Sequence, residues 1–221
     1  MENVLEELDS PGEWFHDPLT STLYLYPNAT TAGGDAAAGT NDADTAPATV
    51  VAPTLSALIR IEGASAVTVR GLHFTETRAT YMDPYEVPSG GDWAVHRGAA
   101  LELVDARNVT VEGCTFEQVG GNGVLLSNAV VGSVIDGNHF HRTGDSAIVS
   151  VGTVMGMNGT AATFPDSNVI SSNLMHEIGI FGKQTSCYFQ ALTARTDLRD
   201  NVCFNGPRAG INWNDGFFGG R

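Results

Sequence analysis

VTVEGCTF at residues 109–116 and SVIDGNHF at residues 133–140 are two copies of one pattern: alternating apolar residues, a turn, then an aromatic. The same pattern stands at VTVRGLHF (67–74), NVISSNLM (168–175) and TDLRDNVC (196–203). Its last residues, Phe74, Phe116, Phe140, Met175 and Cys203, lie 42, 24, 35 and 28 residues apart. The shortest interval fits one coil of three short strands, and the longer ones are coils carrying inserted loops. Strands this short, with no amphipathic helix between them, cannot build a doubly wound sheet. They fit an all-β, right-handed, single-stranded parallel β-helix of about five coils, each stacked on the last at about 4.8 Å around a shared core.

Two columns extend the repeat. Asn138, Asn173 and Asn201 hold one position in three successive units, where amides hydrogen-bond along a stack. A further strand is expected in each later unit, at GVLLSN (123–128), AIVSVG (147–152), GIFGKQ (179–184) and GINWND (210–215). In that register Val124, Ile148, Ile180 and Ile211 point inward. The outer side chains turn from apolar to polar toward the end of the chain.

The flanking segments are of other kinds. Residues 1–28 read as a cap, with a short helix at NVLEEL and an aromatic hairpin, EWFHD and TLYLYP, around Asp17-Pro18-Leu19-Thr20. Residues 29–53 are a low-complexity loop almost without large apolar side chains. The β-helix occupies 54–221. A solenoid needs covered ends, and nothing after Arg221 covers one, so the chain is expected to be a piece of a longer protein.

Composition narrows function. A net charge of -14 with one lysine, Lys183, argues against nucleic acid, which demands clustered cations. No apolar run reaches membrane-spanning length, so no membrane partner is expected. Cys114, Cys187 and Cys203 lack metal-ligand spacing and read as buried thiols, compatible with a single disulfide. The six histidines read as surface or coil-packing residues, with no HExxH frame and no pairing to carboxylates at metal spacing. No metal and no cofactor are expected.

The polar outer column suggests a groove for an extended polymer. Hydrolysing a glycosidic bond takes two carboxyl groups about 5–9.5 Å apart, a separation that stacked coils supply. Asp215 is the leading carboxylate and Glu177 its partner, with Asp145 behind them. Lys183, Gln184, Arg208, Asn212, Asn214 and His176 would contact hydroxyls, with Trp213 stacking on a ring. Asp92, Trp93, His96 and Arg97 form a polar-aromatic cluster in the loop between the first two coils.

LEELDSPGEWFHD, LYLYP, VPSGGDWAVHRGAALEL, GGNGV, HEIGIFGKQTSCYFQAL and NGPRAGINWNDGFFGG together carry a resemblance. The chain resembles the pectate-lyase-like β-helix superfamily, and within it the group around glycoside hydrolase family 141. That resemblance implies a secreted or compartment-enclosed enzyme acting on plant- or algal-type polysaccharide. It also implies two acidic residues on the later coils, which by motif are Glu177 in HEIG and Asp215 in NDG. The sequence departs from the family at Phe217-Phe218 and lacks its further coils. Two alternatives stay open: a polysaccharide lyase or epimerase, and a non-catalytic glycan-binding or structural β-helix.

Overall fold

The computed structural model describes residues 4–26, 51–87, 93–153 and 163–214. Two compact units result, Met1–Val51 and Ala52–Arg221. In the first, a single 3-10 turn at Leu5–Glu7 precedes the expected hairpin, in which β1 (Trp14–Asp17) pairs antiparallel with β2 (Thr22–Leu25). Asp17 closes the turn by accepting from the Leu19 amide at 2.9 Å and the Thr20 hydroxyl at 2.7 Å. Most of the expected low-complexity loop lies outside the described residues.

The second unit is the parallel β-helix. Its first face stacks β3 (Ile59–Glu62), β6 (Ala99–Val104), β9 (Asn122–Ser127), β12 (Ile148–Val151), β15 (Ser186–Ala191) and β18 (Ala209–Trp213). Its second stacks β4 (Thr68–Arg70), β7 (Thr110–Glu112), β10 (Val134–Asp136), β13 (Val169–Ser171) and β16 (Asp197–Arg199). The third stacks β5 (His73–Thr75), β8 (Thr115–Glu117), β11 (His139–His141), β14 (Leu174–His176) and β17 (Val202–Phe204). The described residues thus make five coils and the first strand of a sixth, every neighbouring pair parallel.

Three-residue strands need sharp corners. Between the second and third faces the corner residue has positive φ in every coil: Gly71, Gly113 and Gly137, then Ser172 and Asp200. Glycine there avoids the Cβ penalty of the left-handed region, which explains the recurring R/E/D-Gly of the repeat. After the third face the left-handed residue is Glu76, Gln118, Arg142, Glu177 and Asn205 in turn.

The anchors align as expected, Phe74, Phe116, Phe140, Met175 and Cys203 in one column. The three phenyl rings stack at 4.6 and 4.7 Å. The asparagine ladder also forms. Nδ2 of Asn138 donates to Oδ1 of Asn173 at 3.0 Å, and Nδ2 of Asn173 to Oδ1 of Asn201 at 2.9 Å. Each acceptor also takes the backbone N–H of the preceding asparagine, at 3.0 Å in both cases. A second, shorter ladder went unread in the sequence: Ser133 accepts from the Val109 amide and Asn168 from the Ser133 amide. Of the cysteines, Cys187 and Cys203 form a disulfide and Cys114 stays a buried thiol.

One register expectation is corrected. The first-face strand of the fifth coil is Ser186–Ala191, not GIFGKQ, so the inward column runs Val124, Ile148, Tyr188 and Ile211. Ile180 is 38% exposed and lies in a loop. The inward Tyr188 is tolerated because its hydroxyl donates to Oε1 of Gln190 at 3.1 Å, so the phenol oxygen is not left bare in the core.

Candidate functional site

Two loops rise over the outer side of the first face, one at residues 76–87 and 93–98 and one at 177–185. The first turns back on itself through an antiparallel bridge between Glu86 and Val95. Arg97 pins it to the solenoid. Its guanidinium pairs with both carboxylate oxygens of Glu86, at 2.8 and 2.7 Å, and donates to the Ser127 hydroxyl and the Gly152 carbonyl. Such bidentate pairing fixes orientation as well as position. The two loops meet where Tyr81 stacks on Phe181 at 5.5 Å.

The close passage of the first loop explains the first two glycines of GGNGV. A Cβ on Gly120 would lie 2.4 Å from the backbone of Arg78, and one on Gly121 2.4 Å from the Thr80 hydroxyl. Gly144 is equally constrained, 2.2 Å from the Gly120 carbonyl.

Between the loops lies an open cavity of about 290 Å³. Thr80, Tyr81, Asp83, Tyr85 and His96 line it from the first loop, and Gly182, Lys183, Gln184 and Thr185 from the second. Asn122, Ser146 and Phe189 form its base, and Asp145 opens into it from the corner before β12.

The two carboxylates there stand in opposite environments. Burial pushes the Asp145 carboxyl above its ordinary value, against smaller opposing effects of His96 and the Thr80 hydroxyl. The hydroxyl is a weak partner at 3.4 Å. Asp83 is held below the usual range by hydrogen bonds from Arg78, at 2.6 and 3.0 Å, with burial opposing. Asp83 therefore ionises the more readily of the two, and Asp145 the more reluctantly. Carboxyls driven apart in this way are how sites divide acid and base roles. Lys183 donates to the Gly179 and Ile180 carbonyls at 2.7 and 2.9 Å and so braces its own loop.

Of the residues expected in the site, Lys183 and Gln184 line the cavity. Asn212 is buried beside Phe189 in the outward column, and Arg208 lies 4.5 Å over the Trp93 ring, which itself packs on Phe189. These two flank the cavity. Trp213 falls opposite Gln190 and is largely exposed, and the Asn214 amide donates to the Gln190 carbonyl at 2.9 Å. Asp215 and Asp92 lie outside the described residues.

Glu177 and His176 belong to a different place, at the outer side of the third face. There Nδ1 of His176 is bonded to Oε2 of Glu177, and Nε2 of His141 is 3.3 Å from the same oxygen. The Asn205 amide at 3.2 Å is the main reason the Glu177 carboxyl sits below its ordinary range, followed by His176. Three of the six histidines, His139, His141 and His176, are gathered here.

Sequence reasoning missed Tyr81, Asp83 and Tyr85. Their signal is TYMDPYEV (80–87), two tyrosines about an aspartate and a proline in a loop already suspected of carrying ligand contacts.

The family described as "Right handed beta helix region" matches residues 57–219. No curated protein matches. A solved structure described as "Glycoside hydrolase" is similar in fold, with a TM-score of 0.69 at 20% identity over 95% of this chain. The chain spans 40% of that protein's length.

Proposed function

This chain belongs to the right-handed β-helix family, and from that premise we propose that it is the hydrolytic part of a carbohydrate-active enzyme. Asp145 is the proton donor to the glycosidic oxygen, and Asp83 the ionised carboxylate facing the sugar. The observation that carries the reading is the pair itself: one carboxyl raised by burial, one lowered by an arginine, lining one cavity with Tyr81 and Tyr85. Tyrosine rings offer flat apolar faces with a polar tip, which suits a sugar ring. The structure of similar fold is described as a glycoside hydrolase, which agrees with this reading. The Cys187–Cys203 bond fits a protein of an oxidising compartment, outside the cell or in its secretory route.

A lyase or epimerase would use Lys183 as the base that takes the proton α to a uronate. Two of that ammonium's N–H groups are already committed to loop carbonyls, which favours hydrolysis over proton abstraction.

The test is a panel of plant and algal polysaccharides and aryl glycosides, assayed with the wild-type protein and the Asp145→Asn, Asp83→Asn and Asp215→Asn variants. Loss of about 10²–10⁴-fold in kcat with Asp145→Asn supports the assignment, that being the usual contribution of a positioned acid. Activity that survives Asp145→Asn but falls with Asp215→Asn would move the acid to the end of the chain.

A further inference from the structure

The histidine cluster on the third face lies away from the cavity, and nothing in the proposed hydrolysis uses it. It is assembled from three successive coils: Glu117 on β8, His139 and His141 on β11, and His176 with the corner residue Glu177 after β14. His141 stands directly between Glu117 and His176 in the parallel register. Because Phe140 and Met175 point inward at these levels, their neighbours must point out, and the short coil rise brings them together.

We propose that His141, His176 and Glu177 bind a divalent transition-metal ion of the zinc class. One ligand atom from each lies within 4.8 Å of the others. For a tetrahedral ion bound at 2.0–2.1 Å, donor atoms stand about 3.3 Å apart, and the His141 Nε2 to Glu177 Oε2 separation is 3.3 Å. The donor set, two imidazoles and a carboxylate, suits zinc and its neighbours rather than calcium or magnesium, which take oxygen.

The surroundings supply a second observation. Ligating histidines hold their unused nitrogen against a partner that fixes the tautomer and the ring. His176 faces the carboxylate through Nδ1, and its Nε2 lies 2.8 Å from Nε2 of His139. His141 faces it through Nε2, and its Nδ1 lies 3.6 Å from Glu117 Oε1, while Glu117 is itself 3.2 Å from His73. The other oxygen of Glu177 accepts from Asn205. Phe204 stacks flat on His176 at 4.8 Å and holds that ring in plane. The three donor atoms thus face one another, an entering ion replacing the His176–Glu177 hydrogen bond, while the second atoms of His176 and Glu177 are already held and that of His141 faces Glu117. Three protein ligands leave a fourth position for water. Bound there, the ion ties the third coil to the fourth.

The test uses protein carrying no histidine tag, stripped with EDTA and dialysed. Zn²⁺ is titrated by calorimetry, and Co²⁺ is followed through the visible bands that tetrahedral coordination intensifies. One equivalent should bind, with a higher Tm that EDTA reverses. That equivalent should vanish in the His141→Gln/His176→Gln double variant, whose side chains keep the bulk. Glu117→Gln should weaken binding about 10–100-fold, as loss of an orienting partner does. Far-UV circular dichroism identical to wild type shows that the variants fold, and the EDTA reversal on the wild-type protein stands independently of them. Absence of saturable binding in the wild type, or an unchanged equivalent in the folded double variant, overturns the proposal. Neither result bears on the hydrolytic reading, which stands or falls with Asp145.

Discussion

Gly182 is the sharpest handle on the proposed acid. Its φ is not in the left-handed region, so alanine fits the backbone. The obstacle is the Asp145 carboxylate: a Cβ at residue 182 would lie 1.9 Å from Oδ1 of Asp145 and 3.2 Å from Cγ2 of Thr185. Ordinary contact begins near 3.4 Å, so the carboxylate must give way by about 1.5 Å. The atom displaced is the end of a side chain, so rotation relieves most of the clash and the fold survives. A displacement of about 1 Å at a catalytic group can cost on the order of 10²-fold in rate. Gly182→Ala should therefore lower kcat by about 100-fold while shifting the urea midpoint little. Steady-state kinetics on whichever substrate the panel identifies, with urea unfolding in parallel, read both quantities. A Gly182→Ala protein with wild-type kcat would remove Asp145 from the chemistry.

Asp145 also predicts a pH dependence. Its folded carboxyl is raised by burial above 3.8, so between that value and the raised one the folded chain binds more protons than the unfolded chain. The contribution of this residue to stability then falls as pH rises through that window and is most favourable below it. Asp145→Asn should flatten that limb in unfolding measurements across pH, and an unchanged profile would contradict the assigned environment. Asn173→Ala leaves the Asn138 amide and the Ile135 carbonyl without their Asn173 partner in the interior. At about 1–3 kcal/mol for each buried polar group, the loss should be on the order of 2–5 kcal/mol by urea unfolding and should exceed that of Asn201→Ala at the ladder's end. Reducing the Cys187–Cys203 bond, 16 residues apart, should cost about 3 kcal/mol by loop entropy. A midpoint insensitive to reductant would show that the bond does not constrain the unfolded chain.

The fold was legible because its determinants repeat. An inward phenylalanine followed 24 residues later by another, and an asparagine recurring just before the anchor, admit few structures other than stacked coils. The misplaced strand shows where repetition fails. GIFGKQ has the apolar alternation of a strand, whereas SCYFQA opens with a serine and buries a tyrosine and a glutamine. Periodicity cannot separate these, because a corner accepts a loop of any length before the next strand begins. The tyrosine belongs inside only because Gln190 satisfies its hydroxyl, a contact visible in three dimensions alone. The cavity was less legible for the same reason. Asp83, Asp145 and Lys183 stand on three separate connections, and no local motif joins them. Glu177 sits at a corner that directs it to the histidines of the third face, and Asp215, its expected partner, lies outside the described residues.

The corners carry a further consequence. Each turns on one left-handed residue, and the columns resume in register after it whatever has been inserted beyond. Between Phe74 and Phe116 the chain spends 42 residues, and between Phe116 and Phe140 only 24, yet the three rings stack at nearly equal spacing. The solenoid therefore behaves as a rack with a fixed pitch, on which loops can be lengthened, exchanged or recombined without retuning the interior. In such a scaffold the evolution of specificity and the maintenance of the core proceed on separate residues, and a change of substrate need not pass through an unstable intermediate.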